Sequence, residues 1–475
     1  MKTLTLALAF SLIGCNAPSD TPPVSSGEAE VSGVSLIDAK SGETLIGSVT
    51  EGSSLDLAGF GLRDIAFQAA TTTTEYSKLD FTLDGETFSG SQAPYTTTAL
   101  DSADWRLGAG SHTLTVTPYD TVGTAQVPLE LSFSINPLDY KRYLYVFRTS
   151  AIDVFDIDAG HKRVKSIKLP AGIHRIWGAV AHAESRMLYI SYHGEGAGKY
   201  LDRGLLAYNL VTEELVWQKL YSPFVDSPAI TADGKTIYLS SGEATDRGTF
   251  WFVIDAADGT VKDKIEVHQG AHNTIVGLSD MYVYMASVRY PYLVMADTST
   301  NEIIRRIGPF RDGVRPFTIN GKETLAFVNV NRFLGFEVGD IATGKVLHSV
   351  HVEGYKEGPF DEPLDVQSHG VALSPDEQEV WVVNGSGYLH LYDVSGLPQI
   401  APRYLETIDL PSRPNWVQFS RDGRFAYTSG GEVIDATRRQ VIAKTSYAKV
   451  RIQIDTLKGE PIRSYVRYGL GYVTE

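Results

Sequence analysis

Residues able to do chemistry recur at one structural position through the C-terminal two-thirds of the chain. They are His174-Arg175, Asp226-Ser227, His272-Asn273, Val314-Arg315, Ser368-His369, Arg413 with Asn415, and Lys449. Each sits just upstream of, or at, the start of a short apolar run, so each belongs to the start of an equivalent strand. The histidines His174, His272 and His369 fall at alternate repeats. Four chemistries are open to such a set. The groups can cap strand starts and bond loop backbones or channel water. Arg175, Arg315, Arg413 and Lys449 can donate to an anionic ligand, with Asp226, Asn273 and Asn415 as further polar contacts. An acidic chain that gathers cations at one mouth focuses an attractive field there. Alternatively, His174, His272 and His369 are catalytic candidates, one as general base while an arginine neutralises a substrate carboxylate. Last, the same three imidazoles can hold a divalent transition metal, although no HxH or HExxH spacing accompanies them.

The elements that must position these groups repeat. The clearest unit is Gly370-Val371-Ala372-Leu373-Ser374-Pro375-Asp376, then Glu379-Val380-Trp381-Val382-Val383, then Leu389-His390-Leu391-Tyr392-Asp393-Val394. It returns at Trp416-Val417-Gln418-Phe419-Ser420-Arg421-Asp422-Gly423 with Glu432-Val433-Ile434-Asp435, and at Pro228-Ala229-Ile230-Thr231-Ala232-Asp233-Gly234 with Phe252-Val253-Ile254-Asp255. Each reads as strand, Asp/Gly turn, strand, turn, a strand ending in Asp, and a fourth strand. Four short strands in about 48 residues make a propeller blade. Seven first strands start near Ile176, Pro228, Ile275, Pro316, Gly370, Trp416 and Val450. The triplet at 143–147, 151–157 and 164–169 lacks a first strand, and the first strand at 450–454 lacks a triplet. The two ends therefore complete one blade, which removes open sheet edges. The expectation is a seven-bladed β-propeller over 138–475, with the polar groups sharing an axial mouth.

These units resemble the YVTN-type, lactonase-like seven-bladed propeller family, with Tyr145-Val146-Phe147 and Trp381-Val382-Val383-Asn384 in the signature strand. The resemblance implies the fold and little about activity, because propellers host binders, lyases, hydrolases and redox enzymes alike.

Residues 31–136 show period-two runs such as Leu79-Asp80-Phe81-Thr82-Leu83 and Thr113-Leu114-Thr115-Val116-Thr117. Alternation buries one face of a strand, and Asp84-Gly85 signals a hairpin. The stretch reads as an antiparallel sandwich of about seven strands without an inter-sheet disulfide. It resembles the Ig-like modules of bacterial surface proteins through Phe81-Thr82-Leu83-Asp84-Gly85, Pro94-Tyr95, Trp105 and the 110–119 run. Trp105 and Tyr119 are either a sugar-stacking platform or core, and His112 reads as a turn residue.

Residues 1–14 read as a lipoprotein signal peptide, with Lys2 before a short apolar run too brief to span a bilayer. Leu12-Ile13-Gly14-Cys15 looks like a lipobox, and Cys15, the single cysteine, would take the lipid. Asn16 after it favours the outer membrane by resemblance to Gram-negative lipoproteins. Residues 15–30 are a Pro-, Ser- and acid-rich tether. With 42 basic and 57 acidic residues the formal charge is -15, which argues against a nucleic-acid partner. Weaker candidates are the glycine-rich insertion after Tyr192-His193 and an acidic loop over 354–365 carrying Glu357, Asp361, Glu362 and Asp365, either solvated or calcium-binding. The 255–259 DAADG stretch reads as a blade turn. GxSxG, P-loop, CxxCH and dinucleotide motifs are all absent. The sequence thus leads to the expectation of a lipid-anchored extracytoplasmic protein whose mouth recognises an acidic glycan or a protein partner. The alternative is an enzyme there, either a polysaccharide lyase or hydrolase or a metal-dependent oxidase.

Overall fold

The computed structural model describes residues 31–39, 41–57, 65–72, 75–97, 109–136, 139–194, 203–243, 248–359, 361–362 and 365–465. Cys15 with its leader and tether, Trp105, and residues 195–198 of the glycine-rich insertion lie outside them. Every helix or strand element among the described residues is a strand, so the chain is all-β. It divides into two compact units that meet in sequence at 136/137.

The first unit holds two sheets. One orders Thr44–Val49, Val31–Asp38 and Ile65–Thr71; the other orders Ser53–Leu55, Leu129–Ile135, Gly110–Tyr119, Lys78–Leu83 and Glu86–Gly90. Phe67 of the first meets Phe133 of the second edge-on, with ring centroids 5.7 Å apart. The hairpin at Asp84-Gly85 forms as its residues dictate, with φ of 48° and 92°. His112 differs from its reading as a turn residue. The inward alternation extends back to it, so it lies inside Gly110–Tyr119, buried. Its ring stacks on Phe133, and Nδ1 meets Asp84 Oδ2 at 2.7 Å. Lys78 Nζ lies 4.3 Å from the centroid of the Tyr119 ring, which occupies one face of that ring.

The second unit contains seven sheets among the described residues. Six have four antiparallel strands in chain order, and they begin with Ile173–His182, Pro228–Ile230, Ala271–Val276, Val314–Ile319, Val371–Leu373 and Val417–Phe419. The seventh joins both ends of the unit in the order Lys162–Lys168, Ala151–Asp156, Tyr140–Phe147, Val450–Leu457 and Glu460–Ser464. Its last strand was not anticipated from the sequence. It returns through Lys458 and Gly459, both at positive φ, and Ser464 Oγ donates to Ala181 O at 2.8 Å.

Two side-chain devices explain why the repeats fold as they do. The last residue of each third strand accepts backbone N–H bonds through Oδ1 and closes the next turn. Asp156, Asn209, Asp255, Asp297, Asp340, Asp393 and Asp435 all do this. After the first strand, a hydroxyl bonds the Asp two residues on, as in Thr231–Asp233, Ser374–Asp376 and Ser420–Asp422.

Apolar clusters are shared between successive sheets. Tyr189 and Leu205 pack with Ile237 and Phe252, and Val383 and Leu389 with Phe419 and Ile434. Leu144, Val146 and Phe155 of the end-joining sheet share a cluster with Tyr427 and Val433 of the sheet that begins with Val417–Phe419. Hydrogen bonds also link each of these sheets to the loop or first strand of its neighbour. Ser191 Oγ donates to Asp226 O at 2.6 Å, Thr274 Oγ1 to Ser227 O at 2.9 Å, and Gly370 N to Asn329 Oδ1 at 2.9 Å.

Candidate functional site

The starts of the first strands bring several of the expected residues together. His272, on Ala271–Val276, donates from Nδ1 to Asp226 Oδ2 at 3.0 Å, and Glu243 Oε2 lies 3.8 Å from the same nitrogen. Arg315, on Val314–Ile319, donates from Nη1 to Glu243 Oε2 at 2.9 Å and from Nε to Asn331 Oδ1 at 2.6 Å. Asn331 in turn donates to Val288 O at 2.7 Å, so a loop backbone anchors the guanidinium. The His369 ring stands 5.9 Å from that of His272 and 5.1 Å from Trp416, which meets it edge-on. Gly370 lets the backbone at Asn415 pack closely here: a Cβ there would lie 2.6 Å from Asn415 O.

Burial grades the site. Arg175, Arg413 and His174 are exposed; Lys449, Asn415, Glu243 and His369 are half-buried; Asn273, Arg315, Asp226 and His272 are buried. His272 is 4% exposed and Asp226 2%. Arg175 lies over the Trp177 ring, 4.1 Å from its centroid. Trp177 packs on His193 at 4.7 Å, and His193 on Phe224 at 4.3 Å. Near these strand starts His272 Nε2, His369 Nδ1 and Asn273 Oδ1 are buried and make no hydrogen bond.

The electrostatics separate the two central histidines. Burial alone would lower the pKa of His272, but Glu243 and Asp226 outweigh it and raise the pKa above the ordinary histidine value. Burial, with the cations His272 and Arg315, pushes His369 down to about 3. Burial also acts on Glu243, yet His272 and Arg315 hold it below the usual carboxylate range. Burial raises the Asp226 carboxyl against the pull of His272. The consistent assignment is one shared proton on His272, an ionised Glu243, and a neutral His369. Burial and the nearby Arg175 lower Lys449.

The three histidines do not converge. His174 is exposed, and Asp226, Glu243 and His272 are the sole metal-capable grouping among the described residues, their donor atoms within 4.8 Å. Within that grouping, His272 Nδ1 and the Arg315 guanidinium both direct protons at the carboxylates, an ion-pair arrangement. In the acidic loop, Glu357 bonds Leu334 N and His351, and Asp365 bonds Glu362 N. Asp255 closes its turn on Ala257 N.

Glu243 was not anticipated from the sequence. It lies between the second and third strands of its sheet, a connection whose length varies between repeats. The available signal was Ser241-Gly242-Glu243: Gly242 has φ of 91°, and Phe224 occupies the place of any Cβ. No protein-family model matches the chain and no curated relative matches it, so the site is read from its own geometry.

Proposed function

We propose that the seven sheets are the blades of a seven-bladed β-propeller, and that its axial His/Arg-lined mouth recognises an acidic glycan outside the cytoplasm. The cluster shared by Leu144, Val146, Tyr427 and Val433 supports closure of the ring, since it couples the last full sheet to the end-joining one. One observation carries the function. Arg175, Arg315, Lys449 and His272 stand in one electrostatically connected group with Asp226, Glu243 and, beside Arg315, Asp312, which is itself paired with Arg332. An acidic chain has therefore kept a local cationic surplus at graded depth, where a carboxylate can replace lost hydration with charged donors. The Ig-like module acts as a spacer, and lipid on Cys15 anchors the protein in the outer membrane.

Titration calorimetry with oligogalacturonate and oligoguluronate tests the reading. The expected result is salt-sensitive binding that weakens at least about tenfold in a Lys449→Gln, Arg175→Gln double variant, roughly the loss of one charge-assisted contact. Absence of affinity for any acidic glycan, or an unchanged double variant, would refute it. Capture of a folded protein with no glycan binding would point to a protein partner instead. For the anchor, Cys15→Ser should move the protein from the membrane to the soluble fraction; continued membrane association would remove the lipid from the account.

A further inference from the structure

The mouth holds more than a binding site needs. A carboxylate-binding pocket gains nothing from buried imidazole nitrogens left without hydrogen bonds, and such orphaned atoms call for an explanation. His272 has its Nδ1 fixed by Asp226 Oδ2 at 3.0 Å, which sets the ring orientation and leaves Nε2 buried and unbonded. His369, its ring 5.9 Å away, keeps Nδ1 buried and unbonded as well. Both carboxylates are already engaged, Asp226 by His272 and Glu243 by Arg315. Two of the unbonded atoms that remain, one nitrogen on each imidazole, can take or give a proton.

We infer that this site catalyses β-elimination from a uronate-bearing glycan, with His369 accepting the proton α to the carboxylate and His272 Nε2 protonating the departing glycosidic oxygen. The inference rests on the carboxylate-binding reading above. Lys449 and Arg315 neutralise the uronate carboxylate, which makes the neighbouring C–H acidic. His369 takes that proton, and the C–H electron pair becomes the second bond of a new carbon–carbon double bond. The β carbon–oxygen bond breaks with its electrons on oxygen, and that oxygen receives the proton from His272. One proton is gained and one lost by the protein, and exchange with solvent restores both groups. No water adds to the products. Their environments push the two histidines in opposite directions, so that one carries a proton where the other does not, the arrangement an acid–base pair requires. Asp226 is a positioning residue, acting through the tautomer and orientation of His272.

The test incubates the full chain with oligogalacturonate, oligoguluronate and oligoglucuronate, and follows the ultraviolet absorbance of the conjugated unsaturated uronate together with product masses. Unsaturated ends without added water are expected from one of these. His369→Asn and His272→Gln should each lower kcat by at least about 100-fold; calorimetric binding should change less than about threefold in His369→Asn, and should weaken in His272→Gln, which also removes a charge from the binding group. Asp226→Asn should lower kcat and displace the pH–rate profile, with partial rescue by Asp226→Glu; retained cooperative melting excludes a simple folding defect. Binding without any unsaturated product would overturn the elimination and leave the binding reading standing. Products that have gained water would also overturn it, in favour of hydrolysis. Absence of binding would remove both.

Discussion

His161 has no part in the mouth, yet its surroundings are as restrictive as those of His369. It is buried, its Nε2 pairs with Tyr427 Oη at 3.0 Å, and its ring meets Phe425 edge-on. Burial, helped by Arg142, lowers it to about 4; burial likewise lowers His193 and His390 to about 4. These folded-state values lie below the unfolded value of about 6.5, so the unfolded chain binds more protons in that interval. Stability from these residues is therefore complete above about pH 6.5 and is lost as pH falls toward about 4. A melting series should show Tm falling by at least about 5 °C between about pH 7 and about pH 4.5; a flat profile would contradict neutral burial. His272 works in the opposite sense. Glu243 and Asp226 raise its pKa above the ordinary histidine value, so anion affinity should fall as pH rises through that raised value. Nearby Arg142 joins Asp158 and Asp422, and Asp422 is only 5% exposed. Arg142→Met should cost about 3 kcal/mol in denaturant unfolding, because it strands a buried carboxylate. At this scale the sequence marked His272, His369, Asp226 and Arg315, because the repeat locates strand starts. It did not mark which of them meet. The Asp226–His272 pair joins residues 46 apart, and Glu243 sits on a loop that the repeat does not register.

The strand–turn units owe their legibility to side chains that bond their own backbone. A third strand ends where an Asp or Asn can accept one or two backbone N–H groups, and this occurs at the same place in every sheet of the second unit. The requirement is an oxygen at that distance, and charge is incidental: Asn209 serves as well as its Asp counterparts, accepting from Val211 N at 2.8 Å and Thr212 N at 2.9 Å. Asp340 therefore offers a clean comparison, since its Oδ1 accepts from Thr343 N at 3.0 Å. Asp340→Ala should lose about 1 kcal/mol, and Asp340→Asn a few tenths of that, measured by urea unfolding. Equal losses would show that charge matters after all. The same local logic explains the misreading of His112. Its strand begins before the turn residues suggest, because Gly110, at φ of 134°, and Ser111 already pair with Ile135 and Ser134.

For the whole molecule, the decisive element is the strand that comes from the far end of the chain. Val450–Leu457 is buried at all eight positions and pairs residue by residue with Tyr140–Phe147, from Val450 opposite Phe147 to Leu457 opposite Tyr140. The sequence announced this by leaving one first strand and one triplet unmatched. It was silent on the returning strand Glu460–Ser464, which lies outside the repeat. If closure is what stabilises the second unit, the strand matters for where it lies, whatever its place in the chain. Deleting residues 450–475 should expose the Tyr140–Phe147 edge and yield aggregated protein. Relocating the strand should not. Leu457 already faces Tyr140, and Lys458 N bonds Asp139 O at 2.7 Å, so a short turn can connect 457 directly to 139. A rearranged chain running from the first unit into 446–457, that turn, and then 139–445 should fold as a soluble monomer that retains cooperative melting. If the rearranged chain aggregates like the deletion, the strand contributes through its covalent position, and the proposed closure of the seven sheets loses its support.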